Sequence, residues 1–307
     1  MTRLFCDPTL LKQDLSGRSY LITGASKGLG LALTRQLLEQ KGSVIALSRT
    51  PPPINHPHLE WHPIDLGDFP KLVDLCTSIQ FQHPKLDGLI NNAAVIPENR
   101  SLSSEGFECQ WAINFLAPCL VTTILASSLK MGRIVHVSSS AHHWIHGRMS
   151  AIYWDDLQFQ QRRYDKWCAY GQSKLALLLH AQFWNTKPHS PPIFCVNPGW
   201  VHTEIAPSML GKVPKRLHPF LRPFLRRKGL NSEWEGLQPT LHCLLTPSLT
   251  VRDGGYFSQY GLDESTQMVQ MGWPIQSPNP IVYDQLVQQR LWEHTYRELH
   301  PYLTFEQ

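Results

Sequence analysis

The residues best suited to chemistry form the stretch Tyr170-Gly171-Gln172-Ser173-Lys174, which opens an apolar run typical of a buried helix. Tyr170 and Lys174 are four positions apart, and residues at that spacing share one helix face. A free phenol, with a pKa near ~10, exchanges protons poorly at neutral pH, but an adjacent ammonium lowers that pKa. The pair predicts a tyrosine that passes a proton to or from a substrate oxygen. Ordinary helices also carry Tyr and Lys at this spacing, so whether the pair is catalytic has to be judged from motifs upstream in the chain.

A glycine-rich turn lies near the N-terminus, between a predicted strand and a predicted helix. Its sequence is Thr23-Gly24-Ala25-Ser26-Lys27-Gly28-Leu29-Gly30. Glycines at such a junction let the backbone turn tightly and let a pyrophosphate approach the positive N-terminus of the helix. The turn therefore predicts dinucleotide binding.

The residues after the second predicted strand distinguish NADP from NAD. An NAD site offers Asp or Glu to the adenosine ribose roughly twenty residues beyond the turn, whereas this chain offers Ser48 and Arg49. A guanidinium binds a 2′-phosphate that a carboxylate would repel, and Lys27 adds a second cation. These residues predict NADP, although two solvated surface cations would give the same sequence.

Short apolar strands alternate with amphipathic helices along most of the chain. The predicted strands are Tyr20–Thr23, Val44–Leu47, Glu60–His62, Leu86–Asn91, Arg133–Val137, Ile193–Val196 and Gly255–Phe257, and the predicted helices are Leu31–Gln40, Lys71–Ile79, Glu105–Leu129, Trp167–Asn185, Glu233–Leu245 and Val282–Leu299. This alternation predicts the α/β class, with a Rossmann-type doubly wound parallel sheet flanked by helices on both faces. Because the motifs span residues 23 to 203, we expect one domain over residues 18–307. An N-terminal tail, residues 1–17, packs on it or is frayed.

Composition narrows the class of protein. The 307 residues are 42% hydrophobic and 17% charged, which is typical of a folded globular chain. The formal charge of +4 is too small to imply a nucleic-acid partner. The seven cysteines are scattered and contain no C-x-x-C pair, which indicates reduced thiols. Since no secretory signal is evident and no apolar run approaches the ~20 residues of a membrane helix, we expect a soluble, cytoplasmic protein.

Taken together, the motifs resemble the short-chain dehydrogenase/reductase family over about residues 18–260. The ordered matches are Thr23-Gly24-x-x-x-Gly28-x-Gly30, Asp65-Leu66, Asn91-Asn92-Ala93, Asn114, Ser139, Tyr170-x-x-x-Lys174 and Asn197-Pro198-Gly199-x-x-x-Thr203. The resemblance implies an NADP-dependent oxidoreductase that transfers hydride between NADPH and a carbonyl or alcohol. A catalytically idle NADP-binding sensor or scaffold on the same fold is the alternative, although the presence of both Tyr170 and Lys174 favours an enzyme.

The resemblance also implies roles for four catalytic residues. Ser139, the second serine of the family's pair, would polarise the substrate oxygen. Tyr170 would be the general acid in reduction and the general base in oxidation. Lys174 would hold the nicotinamide ribose and lower the pKa of Tyr170. Asn114 would bind a water that links Lys174 to solvent, although a lone Asn in a helix is more often a packing residue.

For the cofactor, the resemblance places Asp65 at the adenine ring, Asn91 and Ala93 beside the adenosine, and Val201 and Thr203 at the nicotinamide carboxamide. The full predicted cofactor-binding set is Thr23, Gly24, Ser26, Lys27, Gly28, Leu29, Gly30, Ser48, Arg49, Asp65, Leu66, Asn91, Asn92, Ala93, Tyr170, Lys174, Pro198, Gly199, Val201 and Thr203.

An insert from His142 to Trp167 separates Ser139 from Tyr170. Together with Arg133-Ile134-Val135-His136-Val137-Ser138-Ser139 and Pro198-Gly199-x-x-x-Thr203-Glu204, it is similar to the branch that contains retinol dehydrogenases, WW-domain oxidoreductase and protochlorophyllide reductase. This implies a small hydrophobic substrate, such as an aldehyde, a ketone, or a retinoid- or steroid-like compound. His142 and His143 lack a third ligand at metal spacing, so we expect no metal.

The stretch of residues 205–230, where the family carries its substrate lid, is basic with interleaved apolar residues. Such a segment could rest on an anionic membrane surface, or it could be a solvated lid whose apolar face covers the pocket. Family members pair through the helices predicted at Glu105–Leu129 and Trp167–Asn185. Because the insert can obstruct that surface, a monomer and a homodimer both stay open.

Overall fold

A central parallel sheet organises the protein, which is described in a computed structural model over residues 3–201, 230–247, 249, 255–259 and 273–303. In chain order the strands are β1 (Ser19–Thr23), β2 (Ser43–Ser48), β3 (Leu59–Pro63), β4 (Gly88–Asn91), β5 (Arg133–Val137), β6 (Trp144–Ile145), β7 (Arg148–Met149), β8 (Ile193–Asn197), β9 (Trp200–Val201), β10 (Leu230–Asn231) and β11 (Tyr256–Ser258). The predicted Thr203 and residues 205–229 of the predicted lid lie outside the described residues.

The central sheet has the strand order β11-β8-β5-β4-β1-β2-β3, and all its pairs are parallel. The chain therefore reverses its direction of progress between β1 and β4. In an open α/β sheet, such a switch point leaves a crevice at the carboxyl ends of the strands, where ligands bind. The predicted Rossmann-type doubly wound sheet is confirmed.

Among the described residues, six helices cover the two faces of the sheet. They are α1 (Gly28–Glu39), α2 (Phe69–Gln82), α3 (Cys109–Leu129), α4 (Lys166–Asn185), α5 (Glu233–Leu245) and α6 (Gln285–Leu299). The helices α1 and α5 lie in one apolar cluster, and α2, α3, α4 and α6 lie in the other. Adjacent residues of β1, Leu21 and Ile22, enter opposite clusters. Because both faces of the strands are buried, their sequences are almost continuously apolar.

Helix α3 begins at Cys109 rather than at the predicted Glu105. Gly106 has φ +81°, which a right-handed helix does not allow, and Leu102 forms an antiparallel bridge with Glu108. The Glu108 side chain then caps the helix by accepting the Trp111 amide at 2.8 Å. Likewise, the predicted start of the last helix at Val282 falls in a 3₁₀ turn, and α6 begins after its cap, Asp284.

Helix α3 also corrects the expectation that no apolar run approaches the length of a membrane helix. Within the described ranges, Cys109–Leu129 is long and apolar enough to cross a membrane, but most of it is buried inside the protein. Leu120 and Leu125 lie in the core cluster beneath the sheet. The helix is therefore read as a core helix.

The N-terminal tail packs on the domain from Arg3 onward. The backbone amide and thiol of Cys6 both donate to Gln238 Oε1 of α5 at 3.2 Å. Leu10 and Leu15 are buried. Of the two expectations for this tail, the packed one describes residues 3–17.

Candidate active site

Helix α4 carries Tyr170 and Lys174 across the carboxyl end of β5. Its N-terminus is fixed by Asp165, whose carboxylate accepts the amides of Trp167 at 2.9 Å and Cys168 at 2.8 Å. These bonds satisfy N–H groups that have no partner in the first turn. One turn later Tyr170 lies half-buried, with the side chain of Ser139 close enough to its phenol to influence the pKa of that phenol. The sheet and α4 thus bring together two hydroxyls that could share one substrate oxygen.

The geometry distinguishes Ser139 from its two serine neighbours. Ser138 is buried, and its hydroxyl donates to the backbone carbonyl of Lys174 at 3.1 Å. Ser140 is exposed to solvent. Ser139 caps the 3₁₀ turn that follows, and its Oγ accepts the Ala141 amide at 3.2 Å. Ser139 is therefore the serine placed at Tyr170, as the resemblance implied.

The pKa of Tyr170 is raised in the structure, whereas the sequence predicted that Lys174 lowers it. Burial raises the pKa of Tyr170 to about 12, and the nearby Ser139 side chain opposes that rise only in part. Lys174 Nζ lies 5.6 Å from the phenol ring centroid. Burial also lowers the pKa of Lys174 to about 7, so its charge is largely lost just above neutral pH. In this structure, the phenol is protonated at neutral pH and is a proton donor.

Lys174 is deeply buried for an ionisable side chain, with 2% of its surface exposed. Its Nζ donates to the carbonyl of Val137, the last residue of β5, at 2.7 Å. The lysine is therefore held at the carboxyl edge of the sheet, where burial disfavours its charged form.

Asn114 lies in the π-helical segment Ala112–Leu116 of α3, a type of distortion common at functional sites. Its Oδ1 accepts the Val95 amide at 2.8 Å, and its Nδ2 donates to the Val95 carbonyl at 3.1 Å and to Ser173 Oγ at 3.2 Å. Asn114 thus ties the loop after β4 to the residue preceding Lys174. Its water-binding role stays a prediction.

The glycine turn between β1 and α1 fits a bound pyrophosphate. Gly24 and Gly28 have φ of +70° and +55°, which L side chains rarely adopt. A Cβ on Gly30 would lie 2.3 Å from the carbonyl oxygen of Gly24. Asn92 closes the turn from β4, since its Nδ2 donates to the carbonyls of Thr23 at 2.9 Å and Gly24 at 3.2 Å. Only glycine leaves the close approach that a phosphate needs.

The residues of this turn other than glycine have structural or ligand-facing positions. Thr23 Oγ1 accepts the amides of Asn92 at 3.0 Å and Ala93 at 3.1 Å, which fixes the end of β1 against the chain after β4. Lys27 is exposed and Ser26 half-buried, so both can meet a ligand. Leu29 packs into the apolar cluster beneath α1.

Of the two cofactor residues predicted at the end of β2, Ser48 is held by protein contacts and Arg49 is accessible to a ligand. The hydroxyl of Ser48 is buried, donates to the Thr50 carbonyl at 2.8 Å and accepts Trp61 Nε1 at 3.2 Å. Arg49 is exposed, and within the described part of the chain its guanidinium has no hydrogen bond or ion pair. Arg49 is thus the residue that can take an anion at this edge.

The side chains of two predicted cofactor residues face the interior. Asn91 is buried, and its Nδ2 donates to Thr122 Oγ1 at 3.3 Å and His136 Nδ1 at 3.1 Å. Leu66 belongs to the apolar core. Their backbones alone can border the crevice. Asp65, in contrast, is exposed, and its Oδ1 accepts the Gly67 amide at 2.9 Å.

The segment after β8 lies beside α5. Gly199 has φ +73°, and its amide donates to Asn197 Oδ1 at 3.0 Å. The Pro198 carbonyl accepts Asn231 Nδ2 at 3.0 Å. Val201 is buried and pairs with Asn231 in the short ladder β9–β10.

Sequence reasoning missed two residues that reach this region from far along the chain. Ser277 and Asn279 both contact His142, three positions after Ser139. Neither belongs to a motif, so no pattern in the sequence indicates them. Within the described ranges, no group of three His, Cys, Asp or Glu side chains could hold a metal.

Comparison with known proteins places this geometry in a family. The sequence model described as short chain dehydrogenase matches residues 18–153. The chain is 30% identical to retinol dehydrogenase 12 of Bos taurus over 264 residues, which cover 80% of this chain and 78% of that protein. It is 27% identical to retinol dehydrogenase 13 of Mus musculus over 303 residues, which cover 93% and 85%.

The solved structure of NADPH-bound carbonyl reductase from chicken fatty liver has the same fold, with a TM-score of 0.55 and 24% identity over 80% of this chain and 97% of that one. The chain belongs to the short-chain dehydrogenase/reductase family, in its retinol dehydrogenase-like branch, and is an oxidoreductase that acts on CH–OH or C=O groups.

Proposed function

We propose that the protein is an NADP-dependent reductase of small hydrophobic aldehydes and ketones, including retinoid- or steroid-like carbonyls. The observation that carries the proposal is the position of Ser139 beside the Tyr170 phenol, with Lys174 bonded to the last residue of β5. The similarity of the chain to two retinol dehydrogenases supports a retinoid-like substrate.

When bound, the nicotinamide supplies the hydride. Tyr170, protonated at neutral pH, donates a proton to the substrate oxygen, and the Ser139 hydroxyl donates a hydrogen bond to the same oxygen as negative charge develops on it. Lys174 uses one N–H on Val137 and offers the others to the nicotinamide ribose.

Arg49 supports NADP over NAD because its exposed guanidinium can form a bidentate contact with a 2′-phosphate. Lys27, exposed in the glycine turn, adds a second positive charge. The NADPH in the chicken carbonyl reductase structure agrees with this assignment. Fluorescence titration with NADPH and NADH tests it, and tighter binding of NADH would refute it.

The activity is tested by NADPH oxidation with a panel of aldehydes, ketones, quinones and retinal. We expect Tyr170→Phe to lower kcat by about 10²-fold or more while NADPH still binds. Cys168→Ala, two positions away on the same helix, is the control and keeps its turnover. Equal turnover by Tyr170→Phe and the parent would remove Tyr170 as the proton donor, whereas NADPH binding without turnover by the parent would support the idle sensor.

We further propose a monomer, because α6 lies on the helix that family members use for pairing. Trp292 of α6 stacks on Phe183 of α4, with ring centroids 5.1 Å apart. The obstruction thus comes from the C-terminal helix. Light scattering at micromolar concentration tests this proposal, and a dimer mass would refute it.

The cytoplasmic location and the membrane contact of residues 205–230 stay predictions. All seven cysteines are free thiols, which suits a reducing compartment. Cell fractionation tests the location. Co-sedimentation with anionic vesicles at low salt tests the membrane contact.

A further inference from the structure

His142 contacts the backbone of Ser139 with both its ring and its amide. The His142 amide donates to the Ser139 carbonyl at 3.1 Å, and ring atom Nδ1 lies 2.6 Å from the same oxygen. His142 ends the 3₁₀ turn that Ser139 caps, and it is fully buried. One carbonyl thus receives two bonds from one residue.

The contacts of the His142 ring fix its tautomer. A carbonyl oxygen can only accept, so Nδ1 carries the proton. Burial lowers the pKa of His142 to about 4, so the ring is neutral at physiological pH and its Nε2 is an acceptor. Ser277 Oγ, 2.8 Å from Nε2, supplies the matching O–H. A flipped ring would lose both bonds.

Ser277 and Asn279, which precede α6 in the chain, hold His142 in place. Asn279 is fully buried, and its Nδ2 donates to the carbonyls of His142 and Ser150, each at 2.9 Å. The Asn279 amide donates to Ser277 Oγ at 3.2 Å. Since both amide hydrogens of the Asn279 side chain are used, the two ends of the β6–β7 hairpin are tied to the C-terminal part of the chain.

These bonds act on the orientation of Ser139. Fixing its carbonyl fixes the peptide plane and therefore the direction of its Cα–Cβ bond. The Ala141 amide holds the Oγ, and the hydroxyl meets Tyr170. A shift of about 1 Å in such a group can cost about 10²-fold in rate.

We propose that His142, Ser277 and Asn279 form a serine clamp, a set of positioning residues that act on the reaction only through Ser139. The proposal rests on the proposed function, in which Ser139 polarises the substrate oxygen. Its members come from two distant parts of the chain, since His142 lies in the insert and Ser277 and Asn279 precede α6.

The test is a double-mutant cycle. We expect His142→Phe to lower kcat about 10-fold to 100-fold, with the NADPH Kd changed less than about twofold. In a Ser139→Ala background, the same substitution should lower kcat by less than about threefold, because no hydroxyl is left to position. His142→Asn places an N–H where Nδ1 stood and should recover most of the loss. Equal losses in both backgrounds, or no loss in His142→Phe, would overturn the clamp.

Arg162→Ala is the matched control. The Arg162 guanidinium donates to Asp156 Oδ2 at 3.0 Å in the same insert and, in the part of the chain that the structure describes, has no hydrogen bond with a clamp residue. Loss of this ion pair should lower the thermal midpoint and leave kcat unchanged. A kcat loss equal to that of His142→Phe would mean that general loosening of the insert, not the clamp, governs the rate.

A second measurement needs no turnover. In ¹⁵N spectra of the imidazoles, assigned by loss of one signal set in His142→Phe, His142 should be neutral and Nδ1-protonated from pH 6 to 8. Ser277→Ala should shift its Nε2 signal. An Nε2-protonated ring would overturn the clamp. Absence of turnover by the parent, with this tautomer present, would refute the proposed function alone.

Discussion

Lys174→Met should stabilise the protein without cofactor at neutral pH and abolish turnover. Lys174 is 2% exposed, and burial lowers its pKa from 10.5 to about 7. Methionine is similarly long and unbranched, so it can occupy the same space without a charge. The substitution therefore removes the cost of burying an ammonium, together with the bond to Val137.

The size of the effect follows from linkage. A pKa lowered from 10.5 to about 7 corresponds to about 5 kcal/mol, at about 1.4 kcal/mol for each tenfold change in proton affinity. Leaving the Val137 carbonyl without its donor costs about 1–3 kcal/mol, so the net gain at pH 7 is about 2–4 kcal/mol.

The pH dependence has a defined sign. Between pH 7 and 10.5 the unfolded chain binds more protons at Lys174 than the folded chain, so parental stability rises with pH. The advantage of Lys174→Met should accordingly be about 2 kcal/mol smaller at pH 9 than at pH 7. The neighbouring titratable groups stay neutral across this window, since burial raises the pKa of Tyr170 and Cys195 and lowers that of His136.

The assay is urea unfolding of the cofactor-free parent and variant at pH 7 and 9, followed by tryptophan fluorescence. Lys130→Met is the control, because Lys130 is exposed and its charge is hydrated in both states. A stability difference that is unchanged between the two pH values would refute the reasoning. So would a variant less stable than the parent at pH 7.

Three further predictions concern the serine, the turn and the cofactor. Ser139→Ala should lower kcat by about 10²-fold to 10³-fold, whereas Ser138→Ala, which removes the bond to the Lys174 carbonyl, should mainly lower stability, by about 1 kcal/mol. Steady-state kinetics and urea unfolding separate the two effects, and equal kcat losses would contradict the assignment. Gly24→Ala should weaken NADPH binding by roughly 10-fold or more, because a Cβ there lies 2.9 Å from Ala93 Cα. Gly17→Ala, at a similar φ of +76° with no atom within 4 Å, should leave the Kd unchanged. Arg49→Ala should weaken NADPH binding by about 10-fold without changing NADH binding, as measured by fluorescence titration, and a parallel loss for both cofactors would contradict the 2′-phosphate contact.

The amino-acid sequence alone determined the features that depend on local chemistry. Strands and helices follow from hydrophobic periodicity, and the glycine turn follows from backbone conformations that only glycine adopts without strain. Tyr170 and Lys174 were found because four positions bring two side chains to one helix face. These rules need no knowledge of distant parts of the chain.

Tertiary structure decided what depends on burial and on contacts between distant residues. The sequence predicted a lowered pKa for Tyr170, but burial raises the pKa of that phenol and lowers the pKa of Lys174. The inward direction of Asn91 and the bonds from Asn279 to His142 likewise exist only once sheet and helices have packed. The sequence pattern determines which residues share a helix or a strand, whereas the solvation of side chains and the long-range hydrogen bonds depend on the assembled fold.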